Sequence, residues 1–182
     1  YTRTAFFELA SNLVGRHAAR SCAIVMADID RFKAINDTLG HAAGDTTLAH
    51  AARLIAGAVR LSDIVGRYGG EEFCILLPDC TSRQAGELAA RLVDEAARQK
   101  VRHRDGLCIE YTISAGYAAA DIPATLDDPT ELLSALLEQA DQALYRAKNE
   151  GRNRAVAAPE QVILNPAVRP RPRVSEEALA AR

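Results

Sequence analysis

Little in this 182-residue sequence speaks for a membrane, a thiolate metal scaffold or a nucleic-acid partner. No apolar run approaches the roughly 20 residues that cross a bilayer, and no signal-peptide pattern opens it. The four cysteines, Cys22, Cys74, Cys80 and Cys108, lack paired metal-ligand spacing. Three of them lie in or beside apolar strand-like runs, so they read as buried free thiols of a reducing cytoplasm rather than disulfides. A net charge of −2 gives no general pull on nucleic acid or anionic lipid, so an anionic ligand must be held by local groups. There is no internal repeat. What is present, 48% apolar and 25% charged residues, suits one ordinary globular domain with a real core.

Helical and strand periods alternate along the chain. "TAFFELASNLV" has helical spacing, and "CAIVMADID" (22–30) is a continuous apolar run closing on two acids, as in a strand buried on both faces. "RFKAINDTLG" reads as a short helix stopped by Gly40, followed by a loop, "HAAG". The next helix, from Asp45, puts Leu48, Ala51, Ala52, Ile55, Ala58 and Val59 on one face. "VGRY" and "FCILL" read as a hairpin turning at Gly69-Gly70, where glycine supplies positive φ. Ser82 is the expected N-cap of the helix that follows. "CIEYTISAGYA" has strand period, with Ile109, Tyr111, Ile113 and Ala115 in alternation. Asp128, Pro129 and Glu131 mark the start of a helix that stops at Gly151. From Ala155 scattered prolines suggest an extended connector, giving a domain over 1–156 and a Pro/Arg-containing tail over 157–182. The hairpin requires an antiparallel pair, so the expected class is α+β, one sheet flanked by helices.

The chemistry gathers at carboxylates. Asp28 and Asp30 end a buried strand, where loops leave a sheet and ligands bind. Glu71 and Glu72 directly follow the glycine turn, and like charges placed so close call for a cation. If the first strand lies beside the hairpin, Asp28 and Glu71 converge. Carboxylates without His or Cys are hard oxygen ligands, which suit Mg²⁺ or Mn²⁺, and Mg²⁺ so bound completes its octahedron with phosphate oxygens and water. Solvated turn residues are the plain alternative.

"DIDRFKAIND", "GHAAGD", "RYGGEEF", "ISAGYA" and "ADQALYRAKNEGRNR" occur in order across roughly residues 5 to 156, and together they resemble the GGDEF family of diguanylate cyclases, in its GGEEF variant. The resemblance implies a fold similar to the nucleotidyl cyclase and polymerase palm, with a mostly antiparallel central sheet. It also implies condensation of two GTP molecules into cyclic di-GMP with release of two pyrophosphates. Asp28, Glu71 and the carbonyl of Ile29 would be metal ligands for two Mg²⁺ or Mn²⁺ per site, with Glu72 the less assigned acid and Glu71 a candidate proton acceptor.

Lys33 resembles the transition-state stabiliser, with the Phe32 and Lys33 amides near the phosphates and Gly69 and Gly70 close to the nucleotide. Lys148 and Arg152 match a triphosphate-binding pair, although cations are favoured at a helix C-terminus in any case. Asn36 and Asp45 match the guanine readers: one carboxylate can accept guanine's ring N–H and amine together, whereas adenine presents an acceptor there. Without the resemblance, the sequence alone would favour Asp45 as the N-cap of the following helix. His41 reads as a loop-ordering residue near substrate. Arg60 and Asp63 of "RLSD" resemble the family's RxxD inhibitory site for the product, with Arg91 a supplementary contact; an exposed arginine at a helix end is the simpler reading.

The family's opening D-x-L-T-G-L-x-N-R stretch is reduced here to "YTR", so an upstream sensory or dimerising region is expected outside this fragment. A homodimer is implied for turnover. The domain is expected in the cytoplasm with no membrane or nucleic-acid contact, though the parent protein could be membrane-anchored. Two other activities fit the same motifs: a silent receptor for cyclic di-GMP or GTP, and a cyclase making mixed dinucleotides, against which Asp45 argues.

Overall fold

The computed structural model describes residues 1–16, 21–103, 106–123, 126 and 128–159. In chain order the elements are α1 (Arg3–Arg16), β1 (Ser21–Ile29), α2 (Phe32–Leu39), α3 (His41–Ala58), β2 (Ile64–Arg67), β3 (Glu72–Pro78), α4 (Ser82–Arg98), β4 (Val101–Arg102), β5 (Cys108–Ile109), β6 (Ile113–Asp121), α5 (Pro129–Asn149) and β7 (Ala155–Ala157). Five strands form one sheet in the order β2-β3-β1-β6-β7. The pairs β2/β3, β3/β1 and β1/β6 are antiparallel, and β6/β7 is parallel. The class is α+β, a mainly antiparallel sheet between helices.

β1 is central because its residues are apolar on both faces. Ala23, Val25, Ala27 and Ile29 face one core layer with Ile55 of α3 and Leu92 of α4. Cys22, Ile24 and Met26 face the other, with Phe6 of α1 and Leu132 and Leu136 of α5. α5 lies against β6 without a spacer: a Cβ at Gly116 would collide with the backbone of Ala140, Ala143 and Leu144. That close approach carries the C-terminal turn of α5 to the end of β1.

Several local details differ from the pattern reading. "HAAG" is not a loop; Gly40, at φ 85°, ends α2 and at once precedes α3, whose first residue is His41. The cap of α4 is Thr81, not Ser82: its hydroxyl accepts from the Gln84 amide, and the Gln84 side chain accepts from the Thr81 amide. The alternating run 108–121 is split between β5, paired to β4, and β6 in the main sheet. Ile109, Tyr111, Ile113 and Ala115 are nonetheless all buried, since period reports burial and not which strand is the neighbour. β7 lies where the sequence suggests a connector, and the expected tail beyond Pro159 falls outside the described residues. Cys22, Cys74 and Cys80 are buried free thiols, whereas Cys108 is exposed.

Candidate active site

The site is assembled at the Ile29 end of β1. Asp28 follows Met26 and Ile24 on the α5 face of the sheet and is 6% exposed. Register sets Glu72 directly across from it on β3. One residue earlier, the carbonyl of Glu71 accepts from the Ile29 amide at 3.4 Å. From α5, Lys148 Nζ pairs with Asp28 Oδ2 at 2.8 Å. The Asp28 carboxyl is raised to about 6, chiefly by burial; Lys148 opposes the rise, and Glu71 and then Glu72 add to it. Asp28, Glu71, Glu72 and Lys148 are thus brought within electrostatic reach of one another. Asp30, on the same stretch, accepts instead from the hydroxyls of Thr112 and Ser114 and from the Asn153 amide.

The hairpin turn is wider than two residues. Arg67 pairs with Phe73, and the amides of Tyr68 and Gly69 both donate to the Glu72 carbonyl, at 2.8 and 3.3 Å. Neither Gly69 nor Gly70 has positive φ. At Gly69 the missing side chain leaves room for the Glu72 carboxylate, which a Cβ there would displace. Arg67 clamps the turn, donating from Nε to the Gly69 and Gly70 carbonyls and from Nη2 to Gly70 at 2.6 Å. Sequence reading passed over Arg67, although a cation placed just before two glycines and two acids is a signal that could have found it.

Around the neighbouring loop, Arg31 is left-handed at φ 54° and starts α2. Phe32 and Lys33 are in its first turn, where amides have no partner within the helix. Lys33 and His41 are exposed, and Asn36 is half-buried. Asp45 is in the second turn of α3, so it is not that helix's cap. Asn36 packs on α3 at Gly44, where a Cβ would overlap its amide group. The small residue lets Asn36 rest one position from Asp45, a second feature the sequence reading missed. Asp45, Leu48, Val65, Arg67 and Phe73 line a cavity of about 520 Å³ between α3 and the hairpin. Arg152, at φ 64° just past α5, lines a different one of about 510 Å³ with Asp30, Arg31 and Tyr111.

Arg60 and Asp63 are at the other end of the sheet. The Arg60 amide donates to Asp63 Oδ2 at 2.7 Å, closing a small turn after α3. Both line a cavity of about 340 Å³ with Cys80, Glu87 and Arg91, whose guanidinium donates to the Ala58 carbonyl at 2.7 Å.

Among the described residues, no three His, Cys, Asp or Glu side chains gather into a ready-made metal cage. The donor chemistry still fits Mg²⁺ or Mn²⁺, which need only one or two carboxylates when phosphate and water complete the shell. Asp28 is buried and flanked by two further acids, which is a place where positive charge is favourable.

The family described as "Diguanylate cyclase, GGDEF domain" matches residues 1–154. Diguanylate cyclase A of Treponema denticola is 41% identical over 131 residues, which cover 72% of this chain and 33% of that protein. Diguanylate cyclase DgcZ of Escherichia coli is 35% identical over 142 residues, covering 78% of this chain and 45% of that protein. The chain therefore spans less than half the length of these curated relatives. Among solved structures, the GGDEF domain of PA1120 from Pseudomonas aeruginosa superposes with TM-score 0.77 at 35% identity, covering 88% of this chain and 98% of that one. The GGDEF domain of DgcB from Caulobacter crescentus, in complex with c-di-GMP, gives TM-score 0.77 at 28% identity over 86% of this chain and 88% of that one.

Proposed function

The chain belongs to the GGDEF diguanylate cyclase domain family, and from that premise we propose that it condenses two GTP molecules into cyclic di-GMP, releasing two pyrophosphates. The observation that carries the reading is the buried Asp28 at the strand end, beside Glu71 and Glu72 and paired with Lys148. Asp28, the Ile29 carbonyl and Glu71 would hold Mg²⁺ or Mn²⁺, two per site, with Glu72 on the strand position facing Asp28. When bound, such ions activate the 3′-hydroxyl and neutralise charge that develops on the α-phosphate.

The chain's own groups do the rest. Lys148 balances Asp28 at present, and its ammonium, with Arg152, is the charge offered to a triphosphate. The first-turn amides at Phe32 and Lys33 supply further donors to phosphate oxygens, and Lys33 adds a mobile cation to stabilise the transition state. Asn36 and Asp45 read guanine, with His41 nearby, while Gly69 and Gly70 leave room for the nucleotide. Glu71 is the candidate proton acceptor.

One site per chain must join two nucleotides in opposite senses, so turnover requires a two-fold pair of domains. The reaction draws on cytoplasmic GTP; no helix among the described residues is long and apolar enough to cross a membrane. Arg60, Asp63 and Arg91 form the product-inhibition site.

A silent receptor for cyclic di-GMP is the second reading, favoured by the preformed Arg60–Asp63 turn beside its own cavity, which needs no chemistry. Incubating concentrated protein with GTP and Mg²⁺, with products identified by mass spectrometry, separates the two. Cyclic di-GMP and pyrophosphate are expected. Binding of cyclic di-GMP by folded protein that leaves GTP unconsumed would make it a receptor.

A further inference from the structure

Two acids end β1, and the site described above uses only the first. Asp30 is buried at 6% exposure, and both of its oxygens are taken. Oδ1 accepts from the Ser114 hydroxyl at 2.6 Å; Oδ2 accepts from the Thr112 hydroxyl at 2.7 Å and from the backbone N–H of Asn153 at 3.1 Å. Its own amide donates to the Thr112 carbonyl at 2.9 Å. Three protein donors thus engage this carboxylate, and they hold it to β6 and to the turn after α5.

Its third partner lies far away in sequence, in the turn that follows α5. There Arg152 and Asn153 are successive left-handed residues, at φ 64° and 48°, a conformation that Asn tolerates but that is costly for an arginine. Surrounding bonds hold the turn in place. The Arg152 amide donates to the Ala147 carbonyl at 2.9 Å, and the Ala115 amide donates to the Arg154 carbonyl, also at 2.9 Å. The Asp30 bond is the charge-assisted one of these, and it acts on the residue directly after Arg152. Backbone fixed at Asn153 fixes the direction in which the preceding residue leaves the chain.

We propose that Asp30 is a positioning residue: through the Asn153 amide it locks the left-handed turn that aims Arg152, and so sets the grip on the substrate's triphosphate. The inference rests on reading Arg152 as a triphosphate ligand. It divides the two acids of one strand end between two tasks, Asp28 toward the metal and Asp30 toward the phosphate-binding turn.

The test compares the 182-residue wild type, Asp30→Asn and Asp30→Ala by calorimetry in Mg²⁺, with two probes. One is a GTP analogue with a methylene bridge between its α- and β-phosphates; the other is GMP, which lacks the β- and γ-phosphates. Asn keeps one oxygen for Asn153 and turns its amide to Ser114, which can accept; Ala keeps nothing. Affinity for the analogue is expected to fall about tenfold in Asp30→Asn, as for loss of a charged hydrogen bond, and about a hundredfold in Asp30→Ala, as for a misplaced binding group. GMP affinity should stay unchanged in both.

General destabilisation would move the melting temperature without changing the ratio of the two affinities. If Asp30→Ala does not fold, Asp30→Asn decides alone. An equal fall for both ligands, or no fall for either, would overturn the proposal. Folded wild type that binds neither probe would overturn the GTP reading, and this proposal with it.

Discussion

The two ends of the central strands are built on opposite principles. At the Ile29 end of β1, charge is buried: Asp28 and Asp30 are each 6% exposed, one paired to Lys148 and the other saturated by hydroxyls and an amide. At the Cys22 end, where β1 meets Pro78 of β3, the groups around Arg60 and Arg91 are surface groups tied by single bonds to a turn and a helix end. Nine residues of strand separate the ends, roughly 26 Å at the ordinary rise per residue. A buried, strained arrangement is affordable to a fold only where something must be held still, and a surface turn suffices where a ligand comes and goes. Under the proposed function, the first end carries the chemistry and the second the control.

The largest expected effect breaks the first end alone. Asp28→Asn and Glu71→Gln should each reduce cyclic di-GMP formation to background while circular dichroism shows an intact fold, because losing one ligand removes both nucleophile activation and charge neutralisation. Near-normal turnover in either variant would remove the metal assignment.

Base choice comes next. Asp45→Ala should relax the preference for GTP over ATP in a competition assay, by roughly the 1–3 kcal/mol that a bidentate base contact supplies. Gly44→Ala should act in the same direction without deleting a reader, because its methyl displaces the Asn36 amide. Unchanged discrimination in both variants would leave Asp45 without a role in reading the base.

Arg60→Ala addresses the other end. Cyclic di-GMP should bind wild type without competing with GTP, and the variant should bind it about five- to 150-fold more weakly, the range for loss of a bidentate arginine–guanine contact. Equal affinity measured by calorimetry would return "RLSD" to an ordinary helix end.

The smallest effect is on stability. A carboxyl raised to about 6 holds its proton more tightly folded than unfolded. Its contribution is fully present below its ordinary value, near 4, and is lost as pH rises through about 6. Metal-free wild type should therefore lose melting temperature over that window relative to Asp28→Asn, and Arg60→Ala should follow wild type.

The family, the sheet and its helices were legible because apolar period reports burial and because five separate motifs agree in order. Asp28 near Glu71 was legible only on the condition that β1 lies beside the hairpin, which strand period cannot supply and the β1/β3 pairing does. What escaped was set by contacts distant in sequence. Asp30 looks like a companion of Asp28 at a ligand-binding strand end until Thr112, Ser114 and Asn153 arrive from other elements to engage it. Gly69 looks like a source of positive φ until Glu72 folds over it, and Gly44 looks like a loop glycine until Asn36 occupies the space of its missing side chain. Cap choice failed by one residue at Thr81 because two adjacent hydroxyls compete and only geometry selects between them.

The division of labour between the ends is tested most directly by measuring both functions in both variants. Initial rate of cyclic di-GMP formation and calorimetric affinity for cyclic di-GMP are recorded for wild type, Asp28→Asn and Arg60→Ala. The account predicts a crossed result: Asp28→Asn loses the rate and keeps the affinity, while Arg60→Ala keeps the rate at low product and loses the affinity. Loss of both functions in either folded variant would contradict it.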